Sequence, residues 1–129
     1  MPFATPKSSM RRELACLMDI LSAADDLARF VADTDEARFL GSKPEQSFVF
    51  HRLVVIGEAA NSIPRELQAR HPQVPWARLV ALRNRLVHAY FDLDLPLLWN
   101  LASTQVTELH DQVAAIIRTE FPGAIEDAP

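Results

Sequence analysis

From position 83 to position 90 the chain reads Arg-Asn-Arg-Leu-Val-His-Ala-Tyr, and this segment is its single credible chemical site. An imidazole with an unperturbed pKa of about 6.5 can take or give a proton at neutral pH, which is the task His88 could perform. A guanidinium presents paired donors to an anion, so Arg83 suits a centre where negative charge develops, and Arg85 adds a second cation for binding. Asn84 can hold one imidazole tautomer or bind a phosphate oxygen. The combination is that of proton transfer at an anionic centre.

Helical geometry groups these residues. Leu79, Leu82 and Leu86 fall on one arc, which is the expected core-facing stripe. Asn84 and His88, four apart, share a different face, so His88 is not expected to be a buried core histidine. Arg83 lies between the two faces, and its flexible side chain can reach toward His88. Tyr90, seven beyond Arg83, returns to nearly the same angle if the helix persists that far. Ala77, Val80, Ala81 and Val87 form a second, small apolar strip. A helix with two apolar faces has two things to pack against, which predicts a homodimer whose interface runs past the polar group.

The elements that must position this segment are all helical. Leu14, Leu17, Met18, Leu21, Ala24, Ala28 and Val31 recur at spacings of three and four, predicting a first helix from about Ser9 to Val31. The polar stretch Asp33 to Pro44 reads as a connection. A second helix is expected from Glu45 to about Ile63, with Phe48, Leu53, Ile56, Ala59, Ala60 and Ile63 inward. Pro64 restarts the chain as a short helix through Arg70. Pro72 and Pro75 precede a third helix, Trp76 to about Tyr90. Asp92 and Asp94 before Pro96 start a fourth, which runs to about Glu120 and buries Leu97, Leu101, Leu109, Val113 and Ile116 or Ile117. No convincing strand alternation is present. Short links between long helices predict an all-α, antiparallel four-helix bundle with an extra short helix. The whole of 1–129 is expected to form one domain with an ordered core at about 9–121, and Met1 to Ser8 and Pro122 to Pro129 are expected to fray.

A chain of 129 residues, 49% hydrophobic and 23% charged, has the composition of one globular domain. No apolar run approaches the roughly 18 to 20 residues needed to span a bilayer, and Met1 to Lys7 lacks the apolar stretch of a signal peptide, so a cytoplasmic location is expected. The lone Cys16 excludes an internal disulfide and any multi-thiolate metal site. Charge is polarised. From Asn61 to Phe91 there are five arginines, at 65, 70, 78, 83 and 85, against one acid, Glu66. Within a chain of net charge −4 this basic stretch could aim a polyanion at one end of an acidic body, although arginines can also cluster by chance in a short chain.

The order Arg83-Asn84 followed by His88 and Tyr90 resembles the HEPN superfamily, specifically the HepT-like toxins of bacterial and archaeal toxin and antitoxin pairs. The resemblance extends to Ile56-Gly57-Glu58-Ala59-Ala60, to Arg70-His71-Pro72-Gln73-Val74-Pro75-Trp76, and to Tyr90-Phe91-Asp92-Leu93-Asp94 with Trp99 beyond, so it covers roughly Met10 to Val113. It implies a metal-independent endoribonuclease with no cofactor, with Arg83 and His88 catalytic and Asn84 as polar companion, at a site assembled where two subunits meet. In such a reaction the ribose 2′-hydroxyl attacks the adjacent phosphorus, and two histidines in a dimer could divide the base and acid roles. It further implies a partner nucleotidyltransferase antitoxin that adenylylates Tyr90. Read from its residue type alone, Tyr90 could simply cap the helix end with its ring on the core.

Other groups are weaker. His51, His71 and His110 are dispersed and give no metal-ligand spacing. Glu58 and Asn61 could reach the cleft or could be solvated helix surface. The acidic run Asp25, Asp26, Asp33, Asp35 and Glu36 reads as a solvated helix end. Besides an RNA-cleaving toxin, two other readings stand: a non-catalytic helical partner of a nucleotidyltransferase, which would have no need of Arg83 and His88 together, and a dimeric scaffold with a vestigial motif.

Overall fold

The computed structural model describes residues 8–126, and every helix or strand among them is a helix. The first, α1 (Ser8–Ala32), buries Leu17, Ile20, Leu21, Ala23, Ala24 and Leu27. Ala28, expected on that stripe, is exposed, and Ile20, Ala23 and Leu27 carry the face instead.

The stretch expected to be a plain connection contains a five-residue helix, α2 (Glu36–Leu40). Asp35 caps it by accepting from the Arg38 N–H at 2.8 Å, and Phe39 is driven into the core beside Trp99, with ring centroids 5.5 Å apart. Helix α3 (Lys43–Ser62) starts two residues before the expected Glu45, because the Ser42 hydroxyl caps the Glu45 N–H and Pro44 sits in the first turn. Its far end is closed by Gln68 of α4 (Arg65–Arg70), whose amide donates to the carbonyls of Ala60 and Ile63.

Helix α5 (Trp76–His88) is fixed at its start by the Trp76 indole, which donates to the His71 carbonyl at 3.0 Å. It ends at His88, two residues short of the expected Tyr90. The chain turns over Ala89–Asp92, closed by the Asp92 N–H donating to Ala89 at 2.9 Å, and this delivers Leu93 and Leu95 to the core. The expected fourth helix is three pieces. In α6 (Leu95–Asn100) Asp94 caps the Leu97 N–H, a π-helical turn spans Leu101–Gln105, and α7 (Val106–Glu120) follows. The hydroxyls of Ser103 and Thr104 donate back to the carbonyls of Trp99 and Asn100, competing with the backbone ladder and widening the turn. Leu97 and Leu101 are consequently half-buried, while Leu98, Ala102 and both Ile116 and Ile117 are buried.

Together these helices make an all-α bundle in which α3 packs against both α1 and α5, and α1 against α7. After α7 the chain does not fray at once. Phe121 is buried, Ala124 and Ile125 rest on the core, and the Arg118 guanidinium donates to the Glu126 carbonyl. The fraying expected at 1–7 and 127–129 lies outside the described residues.

Candidate functional site

Where α5 crosses α3, Gly57 faces Leu79 and Arg83. A Cβ built on Gly57 would overlap the Arg83 Cβ and lie 2.9 Å from the Leu79 carbonyl oxygen, so only glycine permits this approach. The chain accepts the roughly 1 kcal/mol that a mid-helix glycine costs relative to alanine. The consequence is that Arg83 is set down directly against the α3 backbone, beside Glu58.

There the Arg83 Nε donates to Glu58 Oε1 at 2.5 Å and one terminal nitrogen donates to Asn84 Oδ1 at 2.9 Å. The side chains of Arg83 and Glu58 are 33% and 49% exposed, so the pair contributes at most about 1 kcal/mol to stability. Its main effect is geometric: the guanidinium is pinned at two points while its remaining N–H groups stay available to an anion. Glu58, a weak candidate from sequence, therefore belongs to the site. Only knowledge of which helix crosses at Gly57 could have revealed this.

Asn84 and His88 are both exposed on α5, one turn apart, as their spacing requires. His88 occupies the last helical residue. Arg85, also exposed, borders a different recess, of about 130 Å³, together with Asp92 and Asp94. Tyr90 lies on the turn beyond the helix, so the angular relation expected between it and Arg83 does not arise. Its ring is 54% exposed and stands edge-on to Phe50 of α3 at 5.2 Å.

The leucine arc divides. Leu86 is buried with Trp76, but Leu79 and Leu82 are half-buried and line a cleft of about 440 Å³ with Leu101, Val106 and Leu109. On the other side of α5, Ala77, Val80 and Ala81 line an open groove of about 940 Å³ that Arg65, Arg78, Asn61 and Asn84 also border. Of the polar group Asn84 alone borders this groove, while Arg83, His88 and the exposed Val87 of the expected apolar strip lie outside it.

Of the remaining histidines, His71 and His110 contact carboxylates on other helices, whereas His51 is exposed and meets the neighbouring Arg52. His71 and Arg70 both contact the Glu120 carboxylate, at 2.7 Å and 3.0 Å, tying the end of α4 to the end of α7. The Arg70 hydrogen bond, helped by His71, holds the Glu120 carboxyl below its ordinary value despite partial burial. His110 lies between Asp25 and Asp111, at 2.8 Å and 3.1 Å. Burial, with the nearby Asp19 charge, raises the pKa of the Cys16 thiol. Among the described residues no three metal-ligating side chains come together, and no helix is long and apolar enough to cross a membrane.

Residues 20–116 match the family model described as "Ribonuclease HepT-like". Curated relatives include "Putative RNase MJ1380" of Methanocaldococcus jannaschii, 36% identical over 84% of this chain and 99% of its own. "Putative RNase MJ0125" of the same organism is 35% identical over 81% of this chain and 90% of its own. "Probable ribonuclease HepT" of Thermococcus cleftensis is 33% identical over 72% and 84%. No solved structure matches.

Proposed function

We propose, for a chain that belongs to the ribonuclease HepT-like family, that it is a metal-independent endoribonuclease and the toxin of a toxin and antitoxin pair. The observation that carries the reading is the pinned guanidinium of Arg83, held by Glu58 and Asn84 on the helix that ends in the exposed His88.

In the proposed reaction the ribose 2′-oxygen attacks the adjacent phosphorus while its proton passes to a base. The bond from phosphorus to the 5′-oxygen of the next nucleotide breaks, and that oxygen takes a proton from an acid. Products are a 2′,3′-cyclic phosphate and a 5′-hydroxyl. The His88 imidazole serves as base or acid, and in a two-fold dimer the two copies of His88 divide the roles. Arg83 stabilises the extra negative charge at phosphorus, and Asn84 binds a phosphate oxygen or holds the imidazole tautomer. Arg85 is assigned to substrate further along the strand. The second subunit is assigned to the groove lined by Ala77, Val80 and Ala81, which would bring the two copies of Asn84 near one another. A nucleotidyltransferase antitoxin would silence the site by adenylylating Tyr90, whose exposed ring stands just past His88 and would place phosphate charge against RNA entry.

The test is cleavage of single-stranded RNA in the presence of chelator by wild type, His88→Ala and Arg83→Ala. Each variant should lose about 10² to 10⁴ in rate, while thermal unfolding shifts by no more than about 1 kcal/mol equivalent, since neither side chain fills the core. Two folded variants that cut at the wild-type rate would reject the catalytic roles and favour the non-catalytic partner reading.

A further inference from the structure

Phe91 is 99% exposed, although leaving a phenylalanine in water forgoes about 1.5–3 kcal/mol of burial. It and Tyr90 are the central residues of the Ala89–Asp92 turn, positions where small polar residues are the ordinary choice. The ring is nevertheless braced. Phe50 of α3 stands edge-on to Tyr90 at 5.2 Å, and Tyr90 edge-on to Phe91 at 5.1 Å, with interplanar angles of 73° and 87°. A chain of three rings thus links Phe91 to the bundle while Phe91 itself stays almost fully exposed.

Beside it lies a cleft of about 370 Å³ between the turn and the N-terminal end of α3, lined by Phe50, Leu93 and Leu95 together with Lys43, Gln46 and Ser47. The Gln46 amide nitrogen is taken by the carbonyls of Phe39 and Leu40, so its carbonyl oxygen is the group it can offer a ligand. Lys43 supplies a cation, Ser47 a hydroxyl. The cleft joins apolar and aromatic walls, Phe50, Leu93 and Leu95 beside the two turn rings, to the cation and hydrogen-bonding groups of Lys43, Gln46 and Ser47, a mixture that suits a planar base with a polar edge, and the ring follows His88 by three residues. Asp92 and Asp94 lie with Arg85 in a separate recess.

We propose that Phe91, braced by Tyr90 and Phe50, is a stacking platform for an unpaired base of the RNA strand entering the Arg83/His88 site, with Lys43, Gln46 and Ser47 receiving its edge and backbone. A planar base can lie on the bare ring only when it is free of a duplex, so the platform selects single-stranded RNA. This inference rests on the ribonuclease reading for the identity of the strand, but its test reads binding and not cleavage.

The probe is a fluorescein-labelled, fully 2′-O-methylated eight-nucleotide RNA of mixed sequence, which cannot be cut by 2′-attack, titrated with full-length protein by fluorescence anisotropy. Phe91→Ala and Phe91→Leu should each weaken binding about 5- to 150-fold, the range expected for loss of one stacked base. Phe91→Trp should bind at least as well as wild type, and affinity for the same sequence as a duplex should not depend on position 91. The proposal is overturned by equal affinity of wild type and Phe91→Leu, by absent binding in wild type, or by loss of the oligomer in Phe91→Ala on sedimentation, which would make the ring a subunit contact. Full Phe91 dependence with no cleavage of ordinary RNA would instead leave the platform standing and remove the nuclease reading.

Discussion

At the scale of single residues, the guanidinium of Arg83 is the feature around which the rest is arranged. A half-exposed ion pair adds little stability, so what Glu58 contributes is direction. Replacing Glu58 with Gln keeps an acceptor for Arg83 and should preserve most of the cleavage rate. Glu58→Ala removes it and should lower the rate about 10- to 100-fold, the scale of a small misplacement of a reacting group, with unfolding changed by less than about 1 kcal/mol. Parallel loss of activity in both variants would instead assign Glu58 a direct part in proton transfer. The pairing of Asn84 with His88, and their distance from the core, were legible in the spacing alone, because a residue offset of four has one meaning on a helix. The partner of Arg83 was not, since it depends on which helix lies opposite.

The elements show the same division between local and non-local information. Pro64 and Asp94 announced the starts of α4 and α6, because each acts within a few positions of itself, whereas the Ser42 cap was passed over and α3 begins two residues before the expected Glu45. The helix α2 was missed because a single buried side chain, Phe39, carries no period. The π-helical turn was missed because Ser103 and Thr104 loosen the ladder without disturbing the apolar spacing, and α5 was read too long because its stop is set by Leu93 and Leu95 reaching the core. Gly57 is the element-scale determinant of the site. In Gly57→Ala the methyl would meet the Arg83 Cβ and the Leu79 carbonyl, costing about 1–3 kcal/mol in overpacking against at most about 1 kcal/mol regained in helix propensity. Thermal unfolding should therefore occur at lower temperature, and cleavage should fall even where the variant remains folded. An unchanged or raised Tm with full activity would mean that α3 and α5 do not meet at Gly57.

For the whole molecule, two contacts make separable predictions. Glu120 joins Arg70 and His71, and its lowered pKa fixes the sign of the pH effect: the contribution is full above the ordinary carboxylate value and is lost as pH falls through the lowered one. Glu120→Gln should thus be less stable than wild type by about 1 kcal/mol at pH 7, and the two should converge in acid, which denaturant melts across pH will read. Val80→Glu places a charge in the groove assigned to the second subunit, so wild type should sediment as a dimer at micromolar concentration and this variant as a monomer with little cleavage. A monomeric, active wild type would remove the shared site. The central claim, RNA cleavage by 2′-attack using only protein side chains, is tested most directly by the ends it leaves. Wild-type protein stripped with chelator is incubated with a single-stranded RNA, and the fragments are weighed by mass spectrometry. The account predicts 2′,3′-cyclic phosphates and 5′-hydroxyls; 3′-hydroxyls with 5′-phosphates, or cleavage that appears only when magnesium is restored, would contradict it.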